Sequence, residues 1–204
     1  MAWGAGARRG PTALEHVKRL GYSAGDITDI VMTHLDKDHA GGLADFPNAV
    51  VHVHQDELSA ASARRSLIDK QRYNPRHLAH SPTWLPLGGG NRNWHGFQSS
   101  TPEGLPDSLQ IALLPGHSSG HCGVALQQDD GTWLLHCGDA VYHPAWLEGR
   151  RPPAVIQAVE KLLEHDGRAR KQVRERLQEL MADPHVTIFC SHDRGMFEKL
   201  GGIE

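Results

Sequence analysis

The chain has 204 residues, with 21 Lys plus Arg against 24 Asp plus Glu and 39% hydrophobic residues, enough for one globular domain with its own core and short for two. A formal net charge of −3 with 22% charged residues excludes a disordered polyelectrolyte and a basic nucleic-acid binder, so a small-molecule partner is expected. No apolar run approaches the roughly 18 residues of a membrane span and no signal-peptide h-region opens the chain, so no membrane partner and a cytoplasmic location are expected.

Residues 11–20 carry Leu14, Val17 and Leu20 at helical spacing, with Thr12 placed as an N-cap and Gly21 as a stop, and predict a first helix. Residues 29–33, Asp-Ile-Val-Met-Thr, are a short apolar run of the kind buried on both faces of a sheet, and they end at His34. Residues 50–54 repeat the pattern, and residues 55–70 read as one helix rich in Ala, Ser and Arg. Strand alternating with helix indicates a layered α/β fold. From 71 to 105 the periodicity fails among Pro75, Pro82, Pro86, Pro102 and the triplet Gly88-Gly89-Gly90, which predicts a long irregular insert. Its Trp84, Trp94 and Phe97 could wall a substrate site or simply anchor the loop in an apolar cluster. Residues 111–114 form a further strand, followed by Pro115-Gly116-His117. Asp130-Gly131 between residues 123–127 and 132–136 predicts a β-hairpin leading to Gly138-Asp139. Residues 153–182 show helical spacing broken at Gly167, hence two helices, and residues 186–190 form a last strand ending in Ser191-His192. No repeat or composition shift marks a boundary, so residues 1–204 are read as a single domain.

Fifteen histidines, about 7% of the chain, exceed ordinary usage and direct attention to metal ligation. Four predicted strands end in a metal-capable residue, namely His34, His117, Asp139 and His192, and strand C-termini are where α/β sheets build their sites. The densest cluster, Thr33-His34-Leu35-Asp36-Lys37-Asp38-His39-Ala40-Gly41-Gly42, places His34, Asp36, Asp38 and His39 within six residues. Catalytic zinc usually takes three protein ligands, so this many suit a pair of ions. His16, His77, His80, His95, His165 and His185 have no ligand-like spacing, whereas His121 and His143 stand near enough to ligands to support them. Cys122, Cys137 and Cys190 contain no C-x-x-C pair and are expected to pack in the core of a protein from a reducing compartment. Gly4-Ala5-Gly6 has no preceding strand to make it a dinucleotide loop, and Ser118-Ser119 lack the elbow context of a serine hydrolase.

The segment His34 to His39 resembles the H-x-[His/Glu/Asp]-x-Asp-His signature of the metallo-β-lactamase superfamily. Pro115-Gly116-His117-Ser118-Ser119-Gly120-His121 is similar to its second metal motif, Gly138-Asp139-Ala140 to its bridging carboxylate and Ser191-His192 to its last histidine. The resemblance implies an αββα sandwich of two mixed sheets with helices outside. It implies two divalent ions, the first on His34, Asp36 and His117, the second on Asp38, His39 and His192, with Asp139 bridging. It further implies a hydrolase in which a metal-bridging hydroxide cleaves an ester, lactone or thioester bond of a small molecule. Asp38 would pass a proton to the leaving group and Tyr142 would hydrogen-bond the developing oxyanion. The Asp-His-Ala-Gly-Gly continuation points to lactonase-like and glyoxalase II-like members.

Two departures from the family pattern matter. Asp36 stands where most hydrolytic members carry His; a carboxylate is harder and charged, which moves the preference from zinc, the expected ion, toward iron or manganese. A short polar residue there also suits a helix cap. The strands that normally open such a domain are missing before the first helix, so part of one sheet is expected to be absent and its exposed edge to favour a homo-oligomer. The alternatives are a di-iron redox enzyme of the same fold and an inactive, N-terminally truncated remnant.

Overall fold

The computed structural model describes residues 12–200; Gly4-Ala5-Gly6 and the start of the expected opening helix lie outside them. Thr12 caps α1 (Ala13–Arg19): its hydroxyl accepts from the Glu15 amide while the Glu15 carboxylate accepts from the Thr12 amide. β1 (Asp29–Val31) runs through a turn into α2 (Lys37–Ala40) and then into β2 (Val50–His54), which pairs in parallel with β1. The single helix expected over 55–70 is two. α3 (Gln55–Ala63) stops where Arg64 takes a left-handed φ of 42°, and α4 (Leu67–Arg72) restarts on Ser66, whose hydroxyl accepts from the Asp69 amide. That side-chain cap offers the backbone an alternative to a continuous helix.

The stretch 71–105, expected to be irregular, is also structured. Asn74 caps α5 (Pro75–Leu78), β3 (Thr83–Leu87) pairs in parallel with β2, and β4 (Arg92–Trp94) forms a hairpin with β5 (Phe97–Ser100). Pro86 is tolerated because β3 lies at an edge of its sheet, and strands this short carry too few residues to display a period. β6 (Leu109–Leu113), β7 (Cys122–Gln127) and β8 (Trp133–His136) continue antiparallel, with Gly131 at φ 84° in the expected β7–β8 hairpin. α6 (Ala154–Leu163) and α7 (Gly167–Leu180) divide at the expected glycine, where Asp166 caps α7 by accepting from the Arg168 and Ala169 amides. β9 (Val186–Phe189) pairs in parallel with β8 and is followed by α8 (Arg194–Lys199).

The three-stranded sheet, β1-β2-β3, is entirely parallel, and the six-stranded sheet, in sequential order from β4 to β9, is mixed. β6 shows how they are layered, since successive side chains of a strand point to opposite faces. Ala112 and, just beyond the strand, Leu114 share a core with Val173, Leu177 and Leu180 of α7. Ile111, on the opposite face, packs with Leu87, Cys122 and Val31 in a cluster that joins the two sheets. Met32, Val51 and Val53 pack with Ala61 of α3 and Tyr73 on the far side of the small sheet. Helix, sheet, sheet and helix therefore stack in the expected αββα order. Trp94 and Phe97 lie in the larger core, with Trp94 against Trp133 at 5.5 Å between centroids, and Trp84 packs against the cluster under α3. These aromatics anchor their segment. The three cysteines are free and buried. No helix among the described residues is long and apolar enough to cross a membrane.

Candidate metal centre

One end of the sandwich collects every residue that the motifs singled out. His34 lies on the turn after β1, Asp36 at the N-cap of α2, and Asp38 and His39 within that helix. His117 comes from the β6–β7 loop, Asp139 from the turn after β8 and His192 from the turn after β9. Asp139 is the hub: its Oδ2 lies 3.7 Å from His34 Nε2, 3.8 Å from His117 Nε2 and 3.3 Å from His192 Nε2, and its Oδ1 lies 3.5 Å from His39 Nε2. Asp36 Oδ2 stands 3.1 Å from His117 Nε2 and 3.7 Å from His34 Nε2. Three overlapping groups, His34 with Asp36 and His117, His34 with His39 and Asp139, and Asp38 with His39 and His192, could each hold a metal ion.

The donor atoms fit such a role. His34 Nε2, His39 Nε2 and Asp139 Oδ1 are buried without a hydrogen-bond partner, and a buried unsatisfied polar atom costs about 1–3 kcal/mol. Three such atoms converging on one point are explained by a cation. Thr33 Oγ1, 3.0 Å from His34 Nδ1, occupies that ring nitrogen and leaves Nε2 to face the site. Burial, reinforced by neighbouring His39 and His121, pushes the His34 pKa well down; burial and then Arg72 do the same to His117. Both rings are thereby neutral, as ligation requires. Burial alone would raise Asp139, but His192 and His39 beside it hold its carboxyl far below the usual range. Burial raises Asp36 to about 7 against the pull of Arg72.

A shell of polar residues that the sequence did not disclose fixes these loops. The Glu57 carboxylate, fully buried on α3, accepts from the Leu35 amide at 2.9 Å and the Tyr73 hydroxyl at 3.1 Å through Oε1. Its Oε2 accepts from the Ser118 hydroxyl at 2.7 Å and the Gly120 amide at 3.0 Å. It thus ties the His34–Asp36 turn to the His117 loop. Arg170, 1% exposed on α7, donates to the carbonyls of Asp139, Ala140 and Glu160. His121 performs the expected supporting role: Nδ1 donates to the Leu114 carbonyl and Nε2 accepts from the Asp139 amide. His143 instead caps a turn by accepting from the Ala145 amide. His16, His77, His80, His95, His165 and His185 join none of the metal-capable groups.

Asp36 sits at the cap position of α2 but makes no capping hydrogen bond with its side chain. Its carboxylate points instead to Arg72, at the end of α4, whose Nη1 lies 2.8 Å from Oδ2 and 3.0 Å from Oδ1. Tyr142 borders the same space, its ring 5.6 Å from that of His117 and 5.3 Å from that of His192, with its hydroxyl 3.5 Å from His117 Nδ1.

Comparison with known proteins agrees with this geometry. The family profile described as the metallo-beta-lactamase superfamily matches residues 4–192. A probable metallo-hydrolase of Mycobacterium tuberculosis is 38% identical over 191 residues, which cover 92% of this chain and 61% of that protein. N-acyl homoserine lactonase AiiB of Agrobacterium fabrum is 27% identical over 188 residues, covering 91% of this chain and 64% of that protein. The chain thus spans less than two thirds of the length of these curated relatives. An N-acyl homoserine lactone hydrolase, solved with the product N-hexanoyl-L-homoserine at its catalytic metal centre, superposes with a TM-score of 0.68 at 22% identity, over 91% of this chain and 64% of that one. A probable metal-dependent hydrolase of Staphylococcus aureus gives a TM-score of 0.70 at 20% identity, over 88% and 60%. At these identities the structural likeness is one of fold. By its profile match over most of its length, its motifs and its αββα layering, the chain belongs to the metallo-beta-lactamase superfamily.

Proposed function

We propose that the protein is a metal-dependent hydrolase that cleaves an ester, lactone or thioester bond of a small molecule. The observation that carries this reading is the convergence of His34, Asp36, Asp38, His39, His117, Asp139 and His192 around three buried atoms without partners. His34, Asp36 and His117 would hold one divalent ion and Asp38, His39 and His192 a second, with Asp139 between them. Two ions are the most these groups offer. Zinc suits the mixed imidazole and carboxylate donors, and the carboxylate at Asp36 also suits iron or manganese. An ion bound there supplies Lewis acidity and brings the pKa of water toward about 7.

The chain's own groups supply orientation and protons. Asp38 has a side chain 56% exposed beside His39, open to solvent and to a leaving group, which fits proton delivery. Burial pushes the Tyr142 hydroxyl far above its ordinary pKa, so it remains a donor at neutral pH, suited to a developing oxyanion. Among the described residues, a cavity of about 700 Å³ adjoins His192 and is lined by Leu134, Phe189, Phe197 and Leu200, which suits an apolar substituent on the substrate. The likeness to N-acyl homoserine lactonases favours a lactone.

The test is metal analysis of protein purified without chelators, followed by a panel of lactones, esters, thioesters and β-lactams with Asp38→Ala and His117→Ala alongside. Hydrolysis of at least one substrate, lost in both variants, is expected. Hydrolysis untouched by both substitutions refutes the assignment, and bound iron with oxygen reduction but no hydrolysis replaces it with the redox alternative.

A further inference from the structure

Arg72 belongs to none of the metal motifs, yet its side chain is buried, 4% exposed, against the first ligand group. Besides its contacts with both Asp36 oxygens, Nη1 lies 2.8 Å from His117 Nε2, and Nη2 donates to the Leu163 carbonyl, so the group is held from two sides. An imidazole nitrogen has one in-plane lone pair. While His117 Nε2 accepts from Arg72 it cannot ligate, and if it instead carries a proton toward Asp36 Oδ2, 3.1 Å away, it cannot ligate either. The guanidinium stays charged at every accessible pH, and a charge this close to two of three donors opposes the entry of another cation. The second group differs: His39 Nε2 is buried with no partner, and His192 Nε2 meets the Asp139 carboxylate at 3.3 Å, an anion that draws a cation in where the guanidinium keeps one out.

We propose that Arg72 and a metal ion are alternative occupants of the space at Asp36 and His117, and that Arg72 is the resident one. The protein then carries one tightly held ion, which needs His39 and His192 and is faced by the partnerless His34 Nε2 and Asp139 Oδ1, and a guanidinium in place of the other. This inference rests on the metal-site reading above and revises its ion count from two to one.

The experiment counts ions. Protein stripped with chelator and dialysed is titrated with Zn²⁺ by calorimetry, and the bound ions are counted by native mass spectrometry. Wild type is expected to take one tight equivalent. Arg72→Gln is expected to take two, with affinity for the second raised at least about a hundredfold, as relief of a like charge at short range in a partly screened site requires. The double variant His39→Ala with His192→Ala is expected to retain no tight ion. Two comparable equivalents in wild type, one equivalent in folded Arg72→Gln, or one tight ion kept by the double variant would each overturn the proposal. Should Arg72→Gln fail to fold, the wild-type count and the double variant decide the matter. No uptake by any of these proteins overturns the metal-site reading itself, a result distinct from the others.

Discussion

Removal of the Glu57 carboxylate should be the most damaging single polar change outside the ligands. Four donors end on it: the amides of Leu35 and Gly120 and the hydroxyls of Ser118 and Tyr73. In Glu57→Ala the two hydroxyls can turn to other acceptors, but the two amides remain buried and unpaired at about 1–3 kcal/mol each. With partial loss of side-chain packing the expected cost is about 4 kcal/mol, a large share of the 5–15 kcal/mol typical of a domain. Glu57→Gln is the sharper variant. Oε1 serves one amide and Oε2 the other, so whichever oxygen becomes an NH₂ must face a backbone N–H, and one hydrogen bond is lost however the amide is turned. Its expected cost is about 2 kcal/mol. Urea unfolding of the chelator-treated proteins should rank wild type above Glu57→Gln and Glu57→Gln above Glu57→Ala. Zn²⁺ affinity should fall at least about tenfold in the alanine variant, because the Leu35 amide that Glu57 holds lies on the turn between His34 and the helix that carries Asp38 and His39. An alanine variant within about 1 kcal/mol of wild type, or a glutamine variant less stable than it, would refute the reasoning.

Gly116 holds φ at 124°, and a Cβ there would stand 2.3 Å from the Arg170 amide nitrogen and 2.5 Å from its Cα. Gly116→Ala must therefore shift backbone at the root of α7 beside His117, and a loss of about 3 kcal/mol or more in urea unfolding is expected; a wild-type midpoint would contradict that packing. Acid should destabilise the metal-free protein. Burial lowers His121 from 6.5 to about 3 and His136 from 6.5 to about 4. Folded pKa values below the unfolded ones mean that this stability is complete above about pH 6.5 and lost as pH falls toward the folded values. His34 and His117, lowered chiefly by burial, act in the same sense, while His39 and His192, raised by Asp139, and Asp36, raised by burial, act in the opposite one; with four lowered rings, a net loss of stability between about pH 7.5 and about pH 5 is expected. Equal or greater stability at pH 5 would show that these imidazoles are not buried as neutral rings.

What could be read from the sequence and what could not divide along a physical line. The ligands sit at strand ends, and a strand end is a local event: the apolar run 29–33 stops at His34, and the hairpin around Gly131 delivers Asp139. The division of α6 from α7 at Gly167 was equally local. The break between α3 and α4 was less so, since Arg64 adopts its positive φ without being glycine or asparagine, and the visible sign was only the Ser66 to Asp69 spacing of a capping pair. Residues 71–105 misled because Pro86 reads as a breaker unless its strand is known to lie at an edge, which is a property of the sheet and not of the segment.

The positioning residues were illegible for a stronger reason. Glu57 stands in the first turn of a polar helix, where an acidic residue is ordinary on dipole grounds alone; its partners lie up to 63 positions away. Arg72 closes a helix whose sequence, Leu-Ile-Asp-Lys-Gln-Arg, reads as solvated, and it meets Asp36 and His117 across 36 and 45 positions. Nothing local separates these residues from the exposed charges beside them. Asp36 offered an indirect sign: a carboxylate just beyond the apolar run 29–33, among imidazoles, leaves a negative charge that burial penalises unless a cation meets it. The motif supplied a metal ion as that cation, whereas the fold also supplies a guanidinium. A carboxylate in such a position therefore poses a question about its counter-charge that the ligand pattern alone cannot answer, and the ion count of the Arg72 variant is where the two answers separate.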